Sequence, residues 1–502
     1  MKKGIATLVV LLTIFSVVAA GCIGGGTTTS SATPSATSSP TQTQTQTGTQ
    51  STVTSSTTQS SSPTETSTTT QSAAGITLIV LTRHDTTIQL LAKKAFLKSD
   101  IAKKYHIVNI KFIKATESQW VTLIKKGADV AWGGGPTLFD TLYQDGYLAP
   151  ITDKNVLGLI GKDIPEELAG MPMIRKGKDG KIYWIAAALS SFGFTVNKNA
   201  LKRWNLPVPQ KWEDIASETF ARDPPQFGIA DPTRSTSNTR IYQIILQAFG
   251  WNKGWQILTI IAANSKVYDA SDAVREAVIQ GDIAAGNTID FYGYIAMQAN
   301  PACVYIIPKG ESIINGDPIA LLKYSQHPDA AQAFIYWVLT DGQIVWLNKE
   351  VNRLPINPKV FDTPEGKKRP DLKNAYYLAL YTKGIKFDDK EALDTVYAMQ
   401  FYFKATLVDT NDALHRAWIA LVDAHKKGKI DDATYNKLKA ELLAPIQFKD
   451  PDTGKMVTFT EDYAKKINQK ILKDPGFKDT LLQEWRNAAR DKYNKVLQEV
   501  QG

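Results

Sequence analysis

Apolar and polar positions follow two different periods along the chain. Residues 76–82, ITLIVLT, are short and almost wholly apolar, the pattern of a buried strand. DTTIQLLAKKAFLKSDIAKKY then places apolar side chains at helical spacing. Residues 108–115, VNIKFIKA, alternate as a second strand does. SQWVTLIKKG predicts a helix ending at Gly127, and ADVAW, residues 128–132, a third short strand. This strand–helix order predicts an α/β layer with a parallel sheet. Ligands of such sheets bind beyond the carboxyl ends of the strands. Two loops lie there: TRHDTT, with Arg83 and His84, and the run Gly133, Gly134, Gly135, Pro136.

Further on, KIYWIAAALSSFGFTVNKNAL is a long apolar stretch. DPTRSTSNTRIYQIILQAFG sets Ser235, Thr236, Ser237 and Asn238 before an apolar-periodic helix. SDAVREAVIQGDIAAGNTIDFYGYIAMQ predicts a helix, a short strand and a polar-aromatic turn. ACVYIIP predicts an apolar strand in which Cys303 is buried and structural.

The chain's start belongs to another class. Lys2 and Lys3 precede the apolar run IATLVVLLTIFSVVAA, which ends in small residues before Cys22. This is the layout of a secretory signal, and small residues before a cysteine resemble a lipobox, making Cys22 the expected lipid attachment point. An uncleaved anchor is the alternative, and either way the body lies outside the cell, on the outer face of the membrane. Residues 23–75 are mostly Ser and Thr with scattered Pro, too poor in apolar side chains to offset their ordering entropy. They predict a disordered stalk of the O-glycosylated type.

Composition narrows the body's chemistry. Its charges are interspersed, although the 502-residue chain carries a formal net charge of +9, which argues for a solvated surface and no nucleic-acid partner. Of two cysteines, one is the lipobox residue, so no internal disulfide or cysteine metal cluster is expected. The glycine run lacks the following Lys of a P-loop and does not give GxGxxG. Glycines there allow close backbone approach, either to a ligand or within a tight turn. Residues 235–238 are N-cap formers, and a helix start is also an anion site.

From YIIPKGESIINGDPIALLKYSQHPDAAQAFIYWVLTDGQ to RLPINP, the chain resembles the late segment of ABC-importer solute-binding proteins of the type II periplasmic-binding fold. FGFTVNKNAL with KWEDIA resembles that family's first crossover, and GYLAPI after the glycine loop also fits. The resemblance implies an α/β, two-lobe fold. Lobe 1 would comprise residues 76–188 and 306–360, lobe 2 residues 189–305, and residues 361–502 a helical extension packed on a lobe. It implies a monomeric, non-enzymatic capture protein, with no cofactor, that serves a membrane permease and its ATPase.

Within that class the chain is most similar to the ferric-iron-binding-like cluster, whose members carry Fe(III) or anionic organic solutes. By that resemblance a ferric site would use His84, Tyr292 and Tyr294. The cluster's glutamate position falls near Gly134, so that ligand is missing, and Phe291 replaces one tyrosine of the pair. The anionic reading, which we prefer, uses the N–H groups of Gly133, Gly134 and Gly135, with Ser190 and Ser191 at the crossover. Ser235, Thr236, Ser237 and Asn238 stand at a helix start, Arg83 and Arg234 supply charge, and Asp290, Tyr292 and Tyr294 stand across the cleft. His415 and His425 are expected as exposed residues, not metal ligands. A secreted enzyme finds no GxSxG, HExxH or Cys–His pair in support. A purely structural surface protein would not need a cleft.

Overall fold

The computed structural model describes residues 75–115 and 117–502. The expected signal segment, Cys22 and the Ser/Thr-rich stalk lie outside them. Ile76–Thr82 pairs in parallel with Ile107–Lys114 and with Val130–Trp132, as the strand–helix order predicts. The sheet then continues through antiparallel Ile314–Leu321 to the 16-residue strand Ile182–Asn197.

That long strand joins the two lobes. Up to Ser191 it pairs with Ile314–Leu321, and from Phe192 it pairs with Ala285–Ile289. From Phe194 it also pairs with Cys303–Ile306. Both faces are covered, so the strand is a near-continuous apolar run with little alternation. Gly193 allows the crowding where the strands meet: a Cβ there would stand 2.0 Å from the Ile306 carbonyl oxygen. The chain returns to lobe 1 between residues 306 and 314, and Ser312 Oγ donates to the Phe192 carbonyl at 2.5 Å, tying the two crossings together.

Lobe 1 packs its helices over an aromatic core. Trp132 lies 5.8 Å from Phe334 and 5.5 Å from Trp346, ring to ring, and all three are buried. Each such ring contributes about 1.5–3 kcal/mol through burial, and each edge contact about 0.5–1.5 kcal/mol more. Cys303 is buried as expected, and burial pushes its thiol up to about 11.

Two elements differ from the periodicity. The helix after the first strand is broken into Thr86–Phe96 and Asp100–Lys104, because Ser99 caps the second piece by accepting from the Ala102 N–H at 3.1 Å. The expected polar-aromatic turn at DFYGY is the helix Asp290–Ala299. Gly293, which reads as a breaker, is a packing position: a Cβ there would lie 2.4 Å from the Tyr305 ring.

The extension is helical, with a small hairpin of Gln447–Lys449 and Met456–Thr458. Its own core stacks Tyr402 on Phe459 at 3.7 Å, with Trp485 edge-on to both. It docks on lobe 2 through both a hydrogen bond and ring stacking. Trp418 Nε1 donates to Asn264 Oδ1 at 2.8 Å, and Phe403 stacks on Tyr242 at 4.0 Å. The two histidines are engaged rather than free. His415 Nδ1 meets the Ala263 carbonyl at 2.7 Å, and His425 stacks on Tyr435 while its Nε2 meets Asp432. Among the described residues, no helix is long and apolar enough to cross a membrane.

Candidate functional site

A cavity of about 310 Å³ opens between the lobes at the carboxyl ends of the first strands. Its floor is built from the two loops singled out by sequence. Gly133, Gly134 and Gly135 all adopt positive φ, at 77°, 130° and 83°. A Cβ on Gly133 would lie 2.4 Å from the His84 imidazole, so the loop must be bare to pass the ring. Pro136 opens the helix Pro136–Gln144, where a missing N–H costs nothing.

The glycine amides do not wait for a ligand. Gly133 N–H donates to the Pro318 carbonyl at 2.8 Å. The N–H groups of Gly134 and Gly135 both donate to Asp317 Oδ1, at 3.0 and 3.1 Å. The expectation that these amides grip a solute is therefore corrected: two of them hold an internal anion and the third a backbone carbonyl. Burial opposes the Asp317 charge, but Arg353, with the Gly135 amide, outweighs it and keeps the carboxyl below its usual range.

Arg353 is the centre of this wall. Its guanidinium donates to Asp317 Oδ2 at 2.6 Å and to Ser190 Oγ at 2.9 Å, and it approaches His84 Nδ1 at 3.3 Å. It lies over the Phe291 ring of lobe 2 at 4.8 Å and over Trp346 of lobe 1 at 5.3 Å. His84 sits edge-on to Trp132 and Trp346. Burial, with Arg353 adding to it against the pull of Asp317, lowers its pKa to about 4, so the ring is neutral near pH 7.

On the lobe 2 side, the helix Thr236–Phe249 starts at the cavity, with Ser235, Thr236 and Ser237 on the lining. Ser235 Oγ accepts the Asn238 N–H at 3.3 Å, a weak N-cap. The first-turn N–H groups of a helix lack intrahelical acceptors, so this end carries partial positive charge. Arg240, one turn further, is buried. It donates to Asn315 Oδ1 at 2.9 Å and to Asp389 Oδ1 at 2.6 Å.

Of the residues singled out by sequence, Arg83, His84, Gly134, Gly135, Ser190, Ser235, Thr236, Ser237 and Tyr292 line the cavity, as does Arg234. Arg83 also donates to the Ala115 carbonyl, and Arg234 pairs with exposed Asp269 at 2.7 Å. The others are engaged elsewhere. Gly133 lies under the His84 ring. Asn238 is fully buried, its Oδ1 accepting the Ala230 N–H at 3.1 Å. Asp290 accepts the N–H groups of Ser191 and Phe291, both at 2.8 Å. Ser191 also meets Tyr305, and Tyr294 packs edge-on to Tyr305 at 5.6 Å. His84 and Tyr292 therefore reach the cavity, whereas Tyr294 turns to the lobe 2 interior.

Asp317, Arg353 and Arg240 were missed. Each did leave a trace: a charged residue inside an apolar run, in INGDPIALL, VNRLPI and NTRIYQII. Such charges are rarely fully buried unless paired. The lining carries Arg83, Lys114, Arg234, Arg240 and Arg353 against Asp272 and Asp317, and Arg240 and Arg234 are paired in addition with Asp389 and Asp269.

Comparison with known proteins agrees with this architecture. The bacterial extracellular solute-binding protein family matches residues 118–374. The chain is 28% identical over 190 residues to the phosphoglycerate transport regulatory protein PgtC of Salmonella typhimurium, covering 38% of this chain and 47% of that protein. It thus spans about half the length of that curated relative. The solved periplasmic binding protein P5PA superposes with a TM-score of 0.51 at 17% identity, over 66% of this chain and 100% of that one. A solute-binding protein described as putative, from Bordetella parapertussis, gives 0.50 at 16% identity, over 66% and 98%. With a sheet that crosses twice between lobes and a cleft at the strand ends, the chain belongs to the bacterial extracellular solute-binding protein family, on the type II periplasmic-binding fold.

Proposed function

We propose that this protein captures a small phosphorylated or carboxylated organic solute between its lobes and delivers it to the permease and ATPase of an ABC importer. The observation that carries the reading is the cationic cavity around the open start of helix Thr236–Phe249. Serine and threonine hydroxyls with helix N–H groups bind anion oxygens, and the basic side chains compensate their charge. Arg353, held by lobe 1 and the crossing strand and stacked on Phe291 of lobe 2, lies where closure of the lobes would be sensed. The likeness to a phosphoglycerate transport regulatory protein makes phosphoglycerates the first solutes to try. No bond is made or broken in this reading, and the solute is cargo rather than a cofactor.

The ferric alternative has less support. Only two of its three candidate ligands line the cavity, and Arg353 stands beside His84, where a trivalent cation would be repelled. The protein works in this reading as a monomer outside the cell, held to the membrane by lipid on Cys22. The test is calorimetric titration and thermal shift with inorganic phosphate, 2- and 3-phosphoglycerate, citrate and Fe(III). Ligand at a hundred times Kd stabilises by about 2.7 kcal/mol. A shift with a phosphorylated or carboxylated compound supports the reading, and a shift with Fe(III) alone overturns it.

A further inference from the structure

The family match ends at residue 374, yet the cavity is lined by three residues beyond it, Val396, Tyr397 and Gln400. All three lie on the helix Asp389–Phe403. This helix packs against Thr236–Phe249 of lobe 2 and also against Pro136–Gln144 of lobe 1. Its position on lobe 2 is fixed by polar contacts. Gln243 Nε2 donates to the Ala392 carbonyl at 3.1 Å, and Gln400 Nε2 donates to Thr239 Oγ1 at 3.0 Å. Gln247 and Asp388 exchange two bonds, at 2.8 and 2.7 Å. The preceding segment is tied to the return crossing, where Ile385 N–H donates to the Ser312 carbonyl at 3.0 Å.

We propose that the C-terminal extension is a third wall of the ligand cleft, and that Val396, Tyr397 and Gln400 select the solute by the size and polarity of its uncharged part. The chemistry of the lining divides accordingly. The cations and the helix start come from the two lobes, whereas the extension contributes one aliphatic, one phenolic and one amide side chain. Such groups do not neutralise an anion. They bound the space beside it and hydrogen-bond hydroxyls or amides of the organic body. A two-lobe cleft would otherwise be open on this side, so the extension limits how large a solute is accepted. Buried Val396 sets the depth, and the half-buried Tyr397 and Gln400 border it, with Gln400 Nε2 held by Thr239 Oγ1.

The inference rests on the anionic-solute reading, and one experiment separates their fates. Full-length wild type, Val396→Trp, Val396→Ala and Gln400→Ala are titrated with inorganic phosphate, 3-phosphoglycerate and a hexose phosphate, with the unliganded melting temperature recorded for each. Expected is a change of selectivity. Val396→Trp weakens the larger bound solutes about tenfold relative to the smallest. Val396→Ala and Gln400→Ala shift the ranking toward larger or less polar solutes, a change of order that the lower melting temperature expected from losing a buried methyl pair or the Thr239 bond does not by itself produce. If wild type binds and every folded variant keeps its ranking and affinities, or loses affinity for all probes equally, the wall proposal is overturned while the anionic reading stands. The two alanine variants decide the matter if the tryptophan variant does not fold. If wild type binds no anion on the panel, both fall together.

Discussion

Arg353 donates to Asp317 at 2.6 Å inside the cleft wall, and the same carboxylate receives the amides of Gly134 and Gly135. The loop that looks most like an anion grip is thus saturated by the protein's own anion. The pair fixes the loop, and it holds the Arg353 guanidinium between Phe291 and Trp346.

Asp317→Ala should destabilise strongly. It leaves a buried guanidinium without its counter-charge and two glycine amides without an acceptor. Breaking a buried pair from one side costs about 3–5 kcal/mol. Urea denaturation would show it, and a loss below about 1 kcal/mol would mean that the pair is not formed in solution.

Gly133→Ala should be worse than an ordinary exposed glycine substitution. Its φ of 77° is unfavourable for alanine, by about 1–2 kcal/mol. The added methyl must also displace the His84 ring, which it would meet at 2.4 Å. Gly161, with φ of 75° and nothing near its missing Cβ, is the control. Thermal melting should fall further for Gly133→Ala than for Gly161→Ala, and equal losses would show that His84 yields freely.

Two buried groups should tilt stability with pH in opposite directions. Burial lowers the His84 pKa from 6.5 to about 4, so the unfolded chain binds the extra proton and stability rises with pH through that window. Its contribution is lost as pH falls from about 6.5 to about 4, on the order of 3 kcal/mol at most. Burial raises Asp290 to about 7 against Arg353 and the amides of Ser191 and Phe291. There the folded state binds the proton more tightly, so that contribution is full below about pH 4 and is lost as pH rises through about 7. Wild type should be nearly flat between pH 4.5 and 6.5. His84→Gln should lose stability as pH rises, and Asp290→Asn should gain it. Urea midpoints across this range check both signs.

Arg240 joins lobe 2 to Asn315 of the crossing and to Asp389 of the extension, and its guanidinium lies 4.1 Å from the Phe387 ring. Arg240→Met should strand the Asp389 carboxylate and cost about 3 kcal/mol. Hydrogen exchange should quicken in helix Asp389–Phe403 before it does in the lobe 1 core. Uniform quickening instead would mean that the extension unfolds only with the rest of the protein.

Much of the fold was legible because burial imposes periodicity. Ile76–Thr82 is buried along most of its length and so is written as an almost wholly apolar run, and the first parallel strands follow from their spacing. The loops bearing His84 and Gly134 were legible as cleft loops, since strand carboxyl ends are where such sheets bind. The DFYGY helix was not, because Gly293 is there for the Tyr305 ring, a contact 12 residues away that no local pattern encodes.

The two lobes were implied by the family resemblance. By itself, the residue pattern determined where most strands and helices run, that they form an α/β layer, and which loops lie at the strand carboxyl ends. These are consequences of local period and of side-chain solubility. Only the tertiary structure decided what each polar group in the cleft is doing. An amide or a guanidinium is free or engaged according to what packs opposite, and here the opposing groups come from far along the chain: Asp317 for Gly134, and Asp389 for Arg240. The third wall lay equally beyond reach. Val396 and Gln400 look like ordinary helix positions until a docked extension turns them toward the cavity.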